Sequence, residues 1–283
     1  MNFHQNPVIH NGPVTLNVSD LEQSINFYQQ VIGLLVVNRS DSQAVLGSAD
    51  KNALIELRQP GQLHSKPRRT TGLCHFALLI PEREHLAAFV RHIAALNIPA
   101  GSADHLVSEA LYLNDPDGNG IEVYRDRNPD EWKWQNDQVK MTVDPLKIDD
   151  LLTLKPELTW SEAPEGTVMG HVHLHVSDLE ETERFYVKGL GLNVVCRFGT
   201  QALFISDSGY HHHFGLNTWN GEGAPPPPAD STGLVHAALH FPSKALLDER
   251  MTQLRKMGAA ITEYEDGFLV RDPSGNGLLL RVS

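Results

Sequence analysis

The chain carries two copies of one pattern, and that repetition limits its fold more than any other feature. Gly12-Pro13-Val14-Thr15-Leu16-Asn17-Val18-Ser19-Asp20-Leu21-Glu22 aligns with Gly170-His171-Val172-His173-Leu174-His175-Val176-Ser177-Asp178-Leu179-Glu180. The match runs on through Phe27-Tyr28 and Gly33-Leu34, paired with Phe185-Tyr186 and Gly191-Leu192. A second pair joins Thr71-Gly72-Leu73 to Thr232-Gly233-Leu234. It also joins Asp115-Pro116-Asp117-Gly118-Asn119-Gly120 to Asp272-Pro273-Ser274-Gly275-Asn276-Gly277. A period this long marks a duplicated domain rather than a solenoid.

Each copy opens on an alternating strand, with Val14, Leu16 and Val18, or Val172, Leu174 and Val176, on one face. Ser19 with Glu22, and Ser177 with Glu180, are spaced as helix-capping pairs. The helix then ends at Gly33 or Gly191, suited to a left-handed C-terminal turn. Strands are expected at 43–47 with 53–58, and at 202–206 with 211–217. Segments 70–126 and 231–283 repeat the order of strand, helix, then strands around the DPxGNG turn. The chain therefore reads as an α+β protein of four βαβββ modules, at 10–60, 70–126, 168–222 and 231–283. In sequence these form two domains, 8–126 and 168–283, separated by a polar linker at 127–167. A proline-rich connector, Pro225 to Pro228, precedes the fourth module.

A formal net charge of −12 argues against nucleic acid, whose phosphates need clustered Lys and Arg. No apolar run approaches a bilayer span, and no signal peptide opens the chain, so a cytoplasmic location without membrane contact is expected. Cys74 and Cys196 lie in apolar stretches and read as buried free thiols rather than a disulfide. Six of the 15 histidines fall between His171 and His213, a concentration that suggests a site.

The strand–SDLE–helix–FY–GL pattern and the DPxGNG turn resemble the vicinal-oxygen-chelate superfamily of glyoxalases, bleomycin-resistance proteins and extradiol dioxygenases. The resemblance covers all four modules. It implies that modules pair into two half-open β-barrels, with metal ligands on the first strand of each module and the last strand of some. The matching positions are Pro13, His75, His171 and His236 on first strands, and Glu122 and Leu279 on last strands. Pro13 and Leu279 cannot bind a metal, whereas imidazole and carboxylate can. If neighbouring modules pair, His75 and Glu122 form one partial site, and His171 and His236 another. If module two pairs with three, and one with four, then His75, Glu122 and His171 meet as a complete set. The second arrangement is favoured, and the long linker accommodates it.

Further residues point to the same barrel. His171, His173 and His175 share one strand face, to be read either as cup-facing or as a solvent-facing polar stripe. In Tyr210-His211-His212-His213-Phe214, His211 and His213 are expected to face the cup. The resemblance puts the catalytic acid–base at His213. It likewise implies that Tyr112, ten residues before Glu122, bonds a substrate oxygen, and that His105 lies near a substrate-contacting histidine. His240, His85 and His92 read as surface or packing residues. Phe76, Phe214, Trp132 and Trp219 can line a pocket, but core packing is the favoured role for each.

The activity implied by the resemblance is that of an oxidoreductase of aromatic catabolism, a catechol-2,3-dioxygenase-like enzyme using Fe(II), a small aromatic diol and O2. A facial set of two histidines and one carboxylate leaves room on the ion for both diol oxygens and O2. The rivals are a glyoxalase- or isomerase-type enzyme using Mn(II), Zn(II) or Ni(II), with His213 as a fourth ligand, and a non-catalytic binder of an aromatic compound. The sequence sets no number of subunits, although open sheet edges are compatible with a homo-oligomer.

Overall fold

The computed structural model describes residues 2–283. Two eight-stranded sheets account for the architecture, and each curls into a half-barrel. In the first, module four (strands Ile261–Tyr264, Gly267–Arg271, Gly277–Val282 and Gly233–Phe241) joins module one (His10–Asn17, Ala53–Arg58, Gln43–Gly47 and Leu35–Arg39). In the second, module three (Asn193–Phe198, Ala202–Ser206, Phe214–Asn217 and Val168–His175) joins module two (Gly72–Leu79, Gly120–Asp126, Ser108–Asn114 and Gly101–Asp104). The inner modules thus share one sheet and the outer modules the other, so each half of the sequence contributes to both sheets. The joints are antiparallel pairings of first strands, Thr15 opposite His236 and His173 opposite His75.

Alternation explains which faces go inward. Val14, Leu16, Val172 and Leu174 are fully buried in one continuous apolar core. Helices Arg83–Ala95 and Lys244–Lys256 add Leu86, Phe89, Leu247 and Leu254 to that core. The shorter helices Leu21–Phe27 and Leu179–Arg184 are capped by Asp20 and Asp178, one residue later than the serine spacing suggests. Their carboxylates accept from Gln23 N at 2.9 Å and Glu181 N at 2.8 Å.

The DPxGNG turn has a clear physical basis. Asp115 Oδ1 accepts from the backbone N–H of Asp117 at 3.0 Å and of Asn119 at 2.8 Å, which closes the turn. Gly120 has no room for a side chain, because a Cβ there would lie 2.2 Å from the Cys74 carbonyl oxygen. The Tyr28 hydroxyl of module one donates to Asp115 of module two at 2.8 Å. Tyr186 of module three donates to Asp272 of module four at 3.3 Å. These buried bonds tie one sheet to the other.

The segment 127–167 is an ordered part of the molecule. It forms a 3-10 turn at Pro129–Glu131, a two-stranded ribbon (Trp134–Gln135 with Gln138–Val139) and a short helix, Ile148–Leu152. Trp160 packs on Phe89 and donates its indole N–H to the Ile32 carbonyl at 3.2 Å. Among the described residues, no helix is long and apolar enough to cross a membrane.

Candidate metal and substrate site

Period-two alternation aims the site residues. Burying Val172 and Leu174 on the helix side turns His171 and His173 into the cup of the inner sheet, where both are buried. On module two, burying Phe76 and Leu78 does the same for His75. On its last strand, burying Ile121 and Val123 does so for Glu122. Ala77 stands beside Glu122 in the parallel pairing and leaves space for the carboxylate.

The structure brings His75, Glu122 and His171 together. Glu122 Oε2 lies 3.1 Å from His75 Nε2 and 3.0 Å from His171 Nε2. An ion about 2.1 Å from each of two cis donors holds them roughly 3 Å apart, so the spacing suits a bound cation. Without one, each imidazole turns an Nε2–H toward the buried carboxylate. Burial raises the Glu122 pKa, but His171 and His75 outweigh it and hold the carboxyl well below its usual range. Burial lowers the His75 pKa, yet the Cys74 thiol and Glu122 raise it to about 10. His171 moves the other way, lowered by burial despite Glu122. Of the two rings, that of His75 is therefore the one held toward its protonated form.

Tyr112 lies directly across the antiparallel pair from Glu122. His105 Nδ1 donates to the Thr142 carbonyl at 2.6 Å, which leaves Nε2 as an acceptor for the Tyr112 hydroxyl at 2.6 Å. Burial first, and then Glu122, raise the phenol pKa well above its ordinary value, so Tyr112 stays protonated. Its oxygen lone pairs remain free toward the cavity.

That cavity, of about 380 Å³, opens over the three donors. Its apolar wall is Met141, Val143, Phe198, Phe204 and Trp219, and its polar residues include Tyr112, His105, His173 and His212. Among the aromatic residues weighed from sequence, Trp219 lines it. Phe76 and Phe214 are core, and Trp132 packs against His211 with ring centroids 5.1 Å apart.

The three consecutive histidines do not follow the expected alternation. The strand begins only at Phe214, because a turn with Ser208 and Gly209 at positive φ precedes it. His213 consequently lies away from the cavity. Its Nε2–H donates to the Phe3 carbonyl at 3.0 Å, and its Nδ1 accepts from Asp207 N at 3.2 Å. His211 is also directed elsewhere, to Asp126 Oδ1 at 2.7 Å. The histidine that reaches the cavity is His212, and no spacing rule singled it out. His175 does not line the cavity and bonds to Asn217 Oδ1 at 2.8 Å. His236 occupies the other half-barrel, 3.0 Å from Thr15 Oγ1. Thr142, Met141 and Val143 were also missed, since a polar linker gives no periodic signal.

Comparison with known proteins agrees with this architecture. The profile of the Glyoxalase/Bleomycin resistance protein/Dioxygenase superfamily matches residues 11–123 and 168–280. A catechol-2,3-dioxygenase of Bacillus subtilis (strain 168) is 40% identical over 267 residues, covering 93% of this chain and 94% of that protein. A crystal structure from Bacillus subtilis subsp. subtilis str. 168, described as a candidate dioxygenase, superposes with a TM-score of 0.69 at 13% identity. It covers 97% of this chain and 85% of that one. Glyoxalase I from Zea mays superposes with a TM-score of 0.59 at 16% identity, covering 96% and 92%. At such identities the two structures speak to the fold alone. Both repeated halves match the profile, and the chain belongs to the glyoxalase/bleomycin resistance protein/dioxygenase superfamily.

Proposed function

We propose that the protein is an Fe(II)-dependent extradiol dioxygenase that cleaves catechol or a substituted catechol beside its two hydroxyls. The observation that carries this reading is the convergence of two imidazoles and one carboxylate on the floor of a largely apolar cavity. The 40% identity to a catechol-2,3-dioxygenase over nearly the whole chain supports it. His75, His171 and Glu122 are the residues that hold the iron. Ferrous iron, when bound, supplies a centre at which a chelated diol and O2 are held side by side.

The remaining steps belong to side chains. Tyr112, whose proton is held by His105 Nε2, accepts a hydrogen bond from a diol hydroxyl. Phe198, Phe204 and Trp219 exclude water and offer faces to an aromatic ring. His212 is the proton carrier. Asp126 accepts from His211 Nε2–H, so His211 Nδ1 accepts from His212 Nδ1–H at 2.7 Å. His212 Nε2 is then the free base of that ring. Burial, followed by His171 and His211, lowers the His212 pKa well below its ordinary value and keeps the ring neutral.

The test is direct. Protein reconstituted anaerobically with ferrous iron, then given catechol and air, should take up one O2 per diol and form the yellow ring-fission product. Glu122→Gln and His171→Ala should abolish both signals. An iron-loaded protein that consumes no O2 with any vicinal diol ends this reading. So does one whose activity survives Glu122→Gln.

A further inference from the structure

A second donor set lies beside the first and contains sulfur. Cys74, His75 and His173 bring one ligand atom each within 4.8 Å of one another. Adjacent strand residues normally point to opposite faces, so the joint grouping of Cys74 and His75 needs a cause. It is a β-bulge. His173 stands opposite His75 and Leu174 opposite Leu73, which leaves Cys74 with no residue across from it. The other sheet has the same bulge, where Thr15 faces His236, Leu16 faces Leu234, and Val235 is left over. The fold is therefore satisfied by valine at the bulge and threonine at the facing position. The thiol and the imidazole at 74 and 173 are particular to the inner sheet.

The nitrogen that His173 offers can be identified. Asn217 Oδ1 accepts from Trp219 N at 3.0 Å and from His175 Nδ1 at 2.8 Å, which fixes the amide orientation. Its Nδ2 then donates to His173 Nε2 at 2.9 Å, so that nitrogen carries no proton, and a metal gains its lone pair by displacing the Asn217 bond. His173 and His75 both line the cavity, which gives an ion a route in.

We propose that Cys74, His75 and His173 form a site for a thiophilic divalent cation such as zinc, sharing His75 with the carboxylate set. Sulfur and two nitrogens with one open position match a tetrahedral zinc site, whose bonds of about 2.0–2.3 Å place donors roughly 3.5 Å apart. The donor atoms now lie within 4.8 Å of one another, so binding draws them together by up to about 1.3 Å and takes His173 from Asn217. Thiolate selects zinc over harder ions. Occupancy at this site draws His75 away from Glu122 and dismantles the neighbouring donor set. The site does not depend on which reaction the protein performs.

Cobalt(II) titrated anaerobically into the full chain reads this out through the near-ultraviolet thiolate-to-cobalt charge-transfer band. The band should saturate at one equivalent and be lost on adding zinc. Cys74→Val, which copies the residue tolerated at the equivalent bulge, should remove it while leaving the circular dichroism unchanged. His173→Gln should weaken the cobalt complex at least tenfold, and Glu122→Gln should retain the band. A band seen only in Glu122→Gln still supports the site and ranks it below the carboxylate set. Absence of the band in both wild type and Glu122→Gln overturns the proposal. So does a band that persists in Cys74→Val, since Cys196 would then be its source.

Discussion

The imidazole of His212 lies against that of His171, with ring centroids 4.0 Å apart and planes inclined at 46°. One ring belongs to the candidate donor set and the other is held neutral beside it, so a proton taken up at His212 stays next to the reacting groups. His213 has both nitrogens engaged by backbone groups, away from the cavity. Replacing His212 by alanine should therefore lower kcat by about 10²–10⁴-fold, the usual range for a lost acid–base group, and also leaves His211 Nδ1 without its donor. Replacing His213 likewise leaves buried partners unsatisfied and should cost about 1–3 kcal/mol of stability, with kcat of the folded protein kept within about tenfold. Steady-state oxygen uptake and thermal melts on both variants separate the two roles. The reverse pattern would return the proton-carrying role to His213.

Tyr112→Phe removes one hydroxyl and leaves the ring in place opposite Glu122. Losing that acceptor leaves a buried diol hydroxyl unpaired, which costs about 1–3 kcal/mol and corresponds to roughly 10–100-fold in kcat/KM. Iron content after desalting should not change, because the phenol is outside the donor set. Loss of iron in this variant would make Tyr112 a support for the metal rather than for substrate.

Much of this arrangement is legible in the residues, and the failures share a cause. The DPxGNG turns and the paired Val-x-Leu strands specify the modules. Histidine or glutamate at 75, 122 and 171, set against proline and leucine at 13 and 279, favours pairing of the inner modules. His212 escaped because a period-two argument assumes that the strand already exists, whereas the chain is still turning at Gly209 and settles only at Phe214. Thr142 escaped for a different reason. Its backbone carbonyl orients His105, and a carbonyl carries no signature of residue type.

The acid–base state of the donor set predicts how metal-free protein responds to pH. The His75 pKa is raised to about 10 by Cys74 and Glu122 against the effect of burial. A folded value above the unfolded one of about 6.5 gives stability that is complete below about pH 6.5. That contribution is lost as pH climbs through the folded value. A cation must also displace the His75 proton, so its apparent affinity should rise over the same interval, by up to about tenfold per pH unit. Calorimetric titration of zinc or cobalt between pH 7 and pH 9, on metal-free protein, measures the slope. A flat profile would mean that His75 is already neutral at pH 7.

His236 is the sharpest control, because it occupies in the outer sheet the place that His75 holds in the inner one. Leu279 stands beside Ala238 as Glu122 stands beside Ala77, so the outer cup lacks its carboxylate. Thr15 and Pro13 replace His173 and His171, and the charge of Arg58, itself paired with Glu56 and Glu265, acts on His236. Burial, then the Arg58 charge, lower the His236 pKa to about 4, and its Nδ1 has no partner among the described residues. A neutral imidazole with one unsatisfied nitrogen contributes little beyond packing. His236→Leu should accordingly leave iron content and oxygen uptake within about twofold of wild type, and stability within the roughly 1.5 kcal/mol of a volume-conserving swap. His171→Ala should lose both iron and turnover. If His236→Leu is the variant that loses iron, the catalytic half-barrel is the one built from modules one and four.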